Sequence, residues 1–305
     1  MMSQVLERMV SPMRTRLIET LSGHSKQLPT WLVRLEDGED EGLFGENSAA
    51  WVVHSSMPTL VAGVRALLLQ ALHPGALAGV RDHSRYQEDP LGRLAGTIQW
   101  IHTVTFGSTS QAIAGTRMVQ AMHERVRGEY TDGRGVTRSY SANDPELARW
   151  VHIAFTDAFL TAHEHWGRSI PGGADGYVAE WAKAAELMNV SDPPRSAAAL
   201  RAAIDDATDK GELRGGPEVS EIVRFIRRPP LSRALRASYR VVFCAAVSTL
   251  QPRHREMLGL SQRDRLPIHT ATKLVLSGAE YLIGPRSAAE LAARRRLVRL
   301  QEAWQ

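Results

Sequence analysis

Apolar residues recur at three- and four-residue intervals through most of this chain, and that regularity constrains the fold more than any other feature. Two Asp-Pro steps fix where long helices begin. Asp89-Pro90 and Asp144-Pro145 each offer a carboxylate to cap free amides, followed by a proline whose missing N–H costs nothing in the first turn. The first predicts a helix over residues 91–105 that stops at Phe106-Gly107. The next predicted helix, residues 111–127, closes at Gly128. The second Asp-Pro step opens a helix whose core face is Leu147, Trp150, Val151, Ala154, Phe155, Ala158 and Ala162, breaking at residues 167–173.

The rest of the chain reads the same way. Residues 51–77 carry a long apolar pattern with Gly63 inside it, broken by Pro74 after Leu72-His73. Further helical segments are expected at residues 175–188, 196–206, 220–225, 230–247, 252–258, 268–282 and 287–303. Residues 129–141 read as a polar connection with a turn at Thr131-Asp132-Gly133-Arg134-Gly135. Only residues 137–140 alternate as a strand would. The expected fold class is all-α, with a helical extension over residues 1–44 and one catalytic-sized domain over 45–305.

Composition limits function more than it defines it. At 305 residues, 43% hydrophobic and 23% charged, the chain is an ordinary globular one with room for a large core. The net charge of +4 is carried mostly by arginines spread along the sequence. They concentrate only at residues 294–299, which reads as the solvated face of a terminal helix and not as a nucleic-acid patch. Cys244 is the single cysteine, so there is no intrachain disulfide, no thiolate cluster and no C-x-x-C-H haem attachment. It reads as a small buried hydrophobe, not a thiolate haem ligand. No apolar run is long enough to span a bilayer, and residues 1–22 show neither a signal-peptide core nor twin arginines. The expected location is the cytoplasm.

His123 is the leading candidate site residue. On a helix over 111–127, Gly115, Val119, Met122, His123 and Val126 share one arc. An imidazole there must bond to something, since an unpaired buried polar group costs roughly 1–3 kcal/mol. Gly115, two turns earlier, would leave a shallow seat for a flat group, which points to an axial ligand beneath a porphyrin. The plainer reading is a hydrogen-bonded core histidine. One helix earlier, Arg93 and Thr97 are four apart and share a face.

Several motifs follow one another in order. They are Arg65-Ala66-Leu67-Leu68-Leu69-Gln70-Ala71-Leu72-His73-Pro74, then Asp82-His83-Ser84, then Asp89-Pro90-Leu91-Gly92-Arg93 with Thr97. Next come Phe106-Gly107, Met122-His123-x-x-Val126-Arg127-Gly128, and Tyr140-Ser141-Ala142-Asn143-Asp144-Pro145-Glu146-Leu147 leading into Trp150-Val151-His152. In these, residues 44–260 resemble the rubber oxygenase (latex clearing protein) catalytic-domain family, which includes the fungal mycophenolic-acid-pathway oxygenases. The resemblance implies a globin-like multi-helix bundle enclosing non-covalent haem b, with His123 as proximal iron ligand. It also places Arg93 and Thr97 at positions tied to haem binding. Arg93 would suit a propionate and Thr97 a hydrogen bond beside it. One departure matters: the rubber-cleaving members carry a distal lysine just before the threonine, and this chain has Gly96. The resemblance therefore supports haem binding better than polyisoprene cleavage, and the substrate does not carry over.

A second polar group lies on the helix after Asp144: His152, Thr156, Asp157, His163 and His165. His152 and Thr156 are four apart and would edge a pocket. His163-Glu164-His165 lacks the i, i+4 spacing of H-E-x-x-H and reads as a solvated helix end. His73 and His83 read as helix-end and capping residues. The function expected is a haem b-dependent oxygenase or oxidoreductase acting on a hydrophobic organic substrate with O2 or peroxide. Its apolar pocket would lie between residues 51–77 and 150–159, with His102, His152 or water delivering protons. Homo-oligomerisation is allowed; a nucleic-acid partner is not expected. The alternatives are a non-catalytic haem sensor or carrier, a non-haem metal enzyme using His152, Asp157 and His163, and a purely structural helical protein.

Overall fold

In a computed structural model the described residues are 29–83, 88–260 and 267–303. They form α1 (Thr30–Val33), a 3-10 turn (Arg34–Glu36), α2 (Ala49–His54), α3 (Thr59–Gln70), α4 (Pro74–His83), α5 (Pro90–Phe106) and α6 (Thr109–His123). A hairpin of β1 (Arg127–Thr131) and β2 (Thr137–Ser141) follows. Then come α7 (Pro145–Trp166), α8 (Gly173–Leu187), α9 (Ala197–Asp209), α10 (Pro217–Arg227), α11 (Arg233–Ser248), α12 (Pro252–Met257), α13 (Ile268–Ile283) and α14 (Ala288–Ala303). Among the described residues the fold is all-α apart from that hairpin. No single described helix is long and apolar enough to cross a membrane.

Local chemistry sets most boundaries where the sequence placed them. The Asp89 carboxylate accepts from Gly92 N and the Asp144 carboxylate from Glu146 N, each ahead of a proline in the first turn. Two expectations fail. The 51–77 pattern breaks at Pro74 as expected, but Ser55–Pro58 also ends α2, so it is three helices. The helix over 111–127 stops at His123, and residues 127–131 pair antiparallel with 137–141, Arg127 opposite Ser141 and Tyr130 opposite Arg138. Asp132 closes the turn: its carboxylate accepts from Arg134 N (2.9 Å), Val136 N (3.0 Å) and Arg138 Nε (2.7 Å). With the turn held, the alternation of residues 137–141 needs only a short partner, and Arg127–Thr131 supplies it.

The core lies between α3 and α7, with α8, α9 and α11 around them. Trp51, Leu68, Leu69, Leu72, Ile153 and Trp181 are fully enclosed. Each such side chain contributes roughly 1.5–3 kcal/mol of burial. This corrects the expected substrate pocket: the faces of residues 51–77 and 150–159 pack on each other and on α8. Leu32, Leu35 and Phe44, within the expected extension, belong to the same core cluster; residues 1–28 lie outside the described residues.

The basic run near the C-terminus is a solvated face only in part: Arg295 and Arg299 are exposed, but Arg294 is half-buried and Arg296 is not solvated at all. Arg296 is fully buried on α14 and donates to the carbonyls of Leu35 (2.7 Å) and Phe106 (2.8 Å). Arg294 pairs with Glu46 and Glu290 and lies 5.6 Å from the Trp51 ring centroid, while Arg295 pairs with Glu36. Arginine is used here because one planar guanidinium can bond several acceptors at once. Cys244 is half-buried on α11.

Candidate active site

α5 and α6 are joined by only Gly107 and Ser108, and they meet where Gly115 faces Thr103 and Trp100 reaches Thr116, as an antiparallel pair does. Ser108 starts α6 with a capping box: its hydroxyl accepts from Gln111 N, and its own N–H donates to Gln111 Oε1 (2.9 Å). With a rise of 1.5 Å per residue, Arg93 lies ~20 Å from the turn along α5 and His123 ~21 Å along α6. The hairpin therefore brings Arg93, Gly96, Thr97 and His123 to one end. Midway, Trp100 Nε1 donates to Thr116 Oγ1 (3.3 Å) and pins the two helices together.

That end presents an open, apolar flank. Met118 and Met122 are 49% and 55% exposed, Gly96 and Thr97 are exposed, and a Cβ at Gly96 would meet nothing within 4 Å. His123 is half-buried, and its Nδ1 is closed to solvent. The Arg93 side chain lies outside the described ones. Gly115 does not offer the shallow seat expected beside His123. A Cβ there would stand 3.2 Å from Thr103 Cγ2, so this glycine serves the close approach of α5 to α6.

The proton-transfer candidates stand elsewhere. His102, on the turn-proximal half of α5, is half-buried with its ring 6.2 Å from Trp31 and 5.5 Å from Phe106. His152 is buried on α7, which packs chiefly on α3, α8 and α9. The Thr156 hydroxyl donates back to the His152 carbonyl (2.7 Å), with its oxygen 3.3 Å from His152 Nε2. Burial pushes both histidines down to about 4, so at neutral pH each is an uncharged imidazole.

The donors of the non-haem alternative are engaged separately. Asp157 forms a buried ion pair with Arg65, and His163 bonds Ser56 Oγ (3.0 Å) through Nδ1 and the Arg168 carbonyl (2.8 Å) through Nε2. Among the described residues, no three His, Cys, Asp or Glu side chains could jointly hold a metal ion. His163 is buried rather than a solvated end, while His165 is exposed, as residues two apart on a helix must diverge. His73 does cap: its Nδ1 accepts from Gly75 N (3.2 Å) and Ala76 N (3.4 Å).

Sequence reasoning missed His54. It is 3% exposed, with Nδ1 2.7 Å from Thr105 Oγ1 and Nε2 2.9 Å from the Tyr177 hydroxyl, inside a cage of Phe155, Phe159 and Trp181. The family model described as ER-bound oxygenase mpaB/B'/rubber oxygenase, catalytic domain, matches residues 51–277. The chain belongs to this family. Neither a curated protein nor a solved structure gave a match. As an oxygenase-family catalytic domain, the match runs from α2 into α13 and takes in the α5–α6 hairpin, His54 and Tyr177. The Arg296-bearing helix α14 lies outside it.

Proposed function

We propose that the protein is a haem b-dependent oxygenase acting on a hydrophobic organic substrate with O2 or peroxide, with His123 as the iron ligand. What supports this reading is that Arg93 and Thr97 on α5 and His123 on α6 all lie towards the helix ends far from the Gly107-Ser108 turn, with Met118 and Met122 exposed nearby on α6. A single half-buried imidazole with open space at Gly96 and bare Met118 and Met122 side chains fits a large, flat, mostly apolar group. His123 would hold the iron, Arg93 a propionate, and Thr97 a hydrogen bond beside it. Haem would supply the activation of O2 or peroxide; the chain would supply orientation and an apolar setting.

Gly96 leaves no ionisable side chain at the position next to Thr97, so protons must come from further away or from water. His102, on the same helix, is neutral at pH 7 and can accept or pass on a proton but does not act as an imidazolium acid. The test is an absorption spectrum with total iron by elemental analysis, after haem is supplied. We expect a Soret band with about one iron per chain, as for histidine-ligated haem, and loss of both in His123→Ala. Full haem content and an unchanged spectrum in that variant would remove His123 from the site.

A further inference from the structure

Beneath α5 lies a buried polar pair that the oxygenase reading leaves unused. Tyr177 is fully enclosed, and desolvation pushes its phenol well above the ordinary range, so it stays protonated. Burial likewise holds His54 well below the usual imidazole range, so it stays neutral. Two tautomers fit these contacts; in the one that gives the Tyr177 O–H an acceptor, the hydroxyl donates to His54 Nε2 and His54 Nδ1–H donates to Thr105 Oγ1. Phe and Leu at these positions would pack without the cost of desolvating a hydroxyl and an imidazole.

Two indoles connect this pair to the candidate site. The Trp181 ring stands 4.3 Å from His54, nearly perpendicular to it, and the Trp100 ring stands 6.2 Å from Trp181. Trp100 follows Thr97, Gly96 and Arg93 on α5 by three, four and seven residues, so it shares their face. Its partner Thr116 precedes His123 by two turns of α6, ~10 Å along the helix. Pairwise contacts thus lead from Trp100 through Trp181 to His54, whose Nε2 meets the Tyr177 hydroxyl.

We propose that Tyr177 and His54 form a proton-coupled one-electron relay, wired through Trp181 and Trp100 to the α5–α6 face. This rests on the haem reading for its natural oxidant, a peroxide-derived one-electron oxidant at that face. The oxidant gains one electron from Trp100, Trp181 refills Trp100, and Tyr177 refills Trp181. As the electron leaves, the phenolic O–H bond breaks and an N–H bond forms at His54 Nε2. The products are a neutral tyrosyl radical and an imidazolium whose other N–H stays on Thr105. One electron from a thiol or other reductant, with return of the proton, restores the pair. The relay draws an unused oxidising equivalent off the site into the core.

The experiment separates the relay from its cofactor. A ruthenium polypyridyl photo-oxidant is tethered to haem-free protein through Met118→Cys in a Cys244→Ser background, with an irreversible cobalt(III) acceptor. Electron paramagnetic resonance is recorded after the flash. We expect a tyrosyl signal that is absent in Tyr177→Phe and falls at least tenfold in Trp181→Phe, with thermal melts confirming that both variants fold. No tyrosyl signal, or one that survives Tyr177→Phe, overturns the relay whatever the cofactor. A parallel sample with haem and peroxide should give the same signal. A protein that takes up no haem overturns the cofactor reading alone, and a haem-loaded protein silent under peroxide overturns the link to the site.

Discussion

Asp157 shows how much one residue's partner matters. Its carboxylate meets the Arg65 guanidinium between α3 and α7, with side-chain exposures of 12% and 5%. Two charges this deep gain little net over an apolar pair, but either one left alone is costly. Arg65→Met should therefore lower unfolding stability by about 3–5 kcal/mol in urea titrations. The double variant Arg65→Met/Asp157→Leu should recover most of that loss. If the single variant is as stable as the parent, the pair is not the buried contact described. The same residue explains why the non-haem reading has no support at Asp157: its charge is already matched.

At the scale of elements, the α5–α6 hairpin depends on one missing side chain. Glycine inside a helix costs about 1 kcal/mol relative to alanine, yet Gly115 faces the Thr103 methyl. Gly115→Ala should be destabilising, since overpacking costs typically 1–3 kcal/mol. In a Thr103→Ser background, which removes that methyl, the same change should become neutral or stabilising. Equal effects in both backgrounds, by a double-mutant cycle on denaturation, would show that the two residues do not touch. These elements also show what the sequence made legible. Asp89, Asp144, Ser108 and His73 act on amides within three residues, and short-range features of this kind can be read from the chain alone. His54 could not be read so, because Thr105 and Tyr177 lie 51 and 123 residues away. Arg93 and Thr97 were legible as a spacing, but not the open flank beside them. The expected 111–127 helix failed because a pairing between 127–131 and 137–141 outweighed local helical periodicity.

At the scale of the whole molecule, burial of histidines makes stability depend on pH. His73, His102, His152 and His254 are all held near 4 in the fold, against 6.5 when unfolded. Above 6.5 neither state is protonated and the stability is complete. As the pH falls from 6.5 towards 4, the unfolded chain takes up protons that the folded one refuses. Stability should drop by up to ~1.4 kcal/mol per pH unit for each such histidine. Denaturation midpoints that stay flat between pH 6.5 and 4.5 would show that these rings are not held neutral. Arg296 acts on the same scale. Arg296→Met should cost about 1–3 kcal/mol for each carbonyl it unpairs at Leu35 and Phe106, read as a lowered melting temperature.

That arginine also has a consequence for how the protein comes into being. Its carbonyl partners at Leu35 and Phe106 lie 261 and 190 residues earlier in the chain. During synthesis, the end of α5 emerges from the ribosome long before the side chain that clasps it. The helix pair carrying His123 must wait, without this clasp, until Arg296 has itself been released. A premature stop after codon 123 but ahead of codon 296 would then yield a chain with every proposed haem-site residue but without the Arg296 clasp at the end of the helix that carries Arg93 and Thr97.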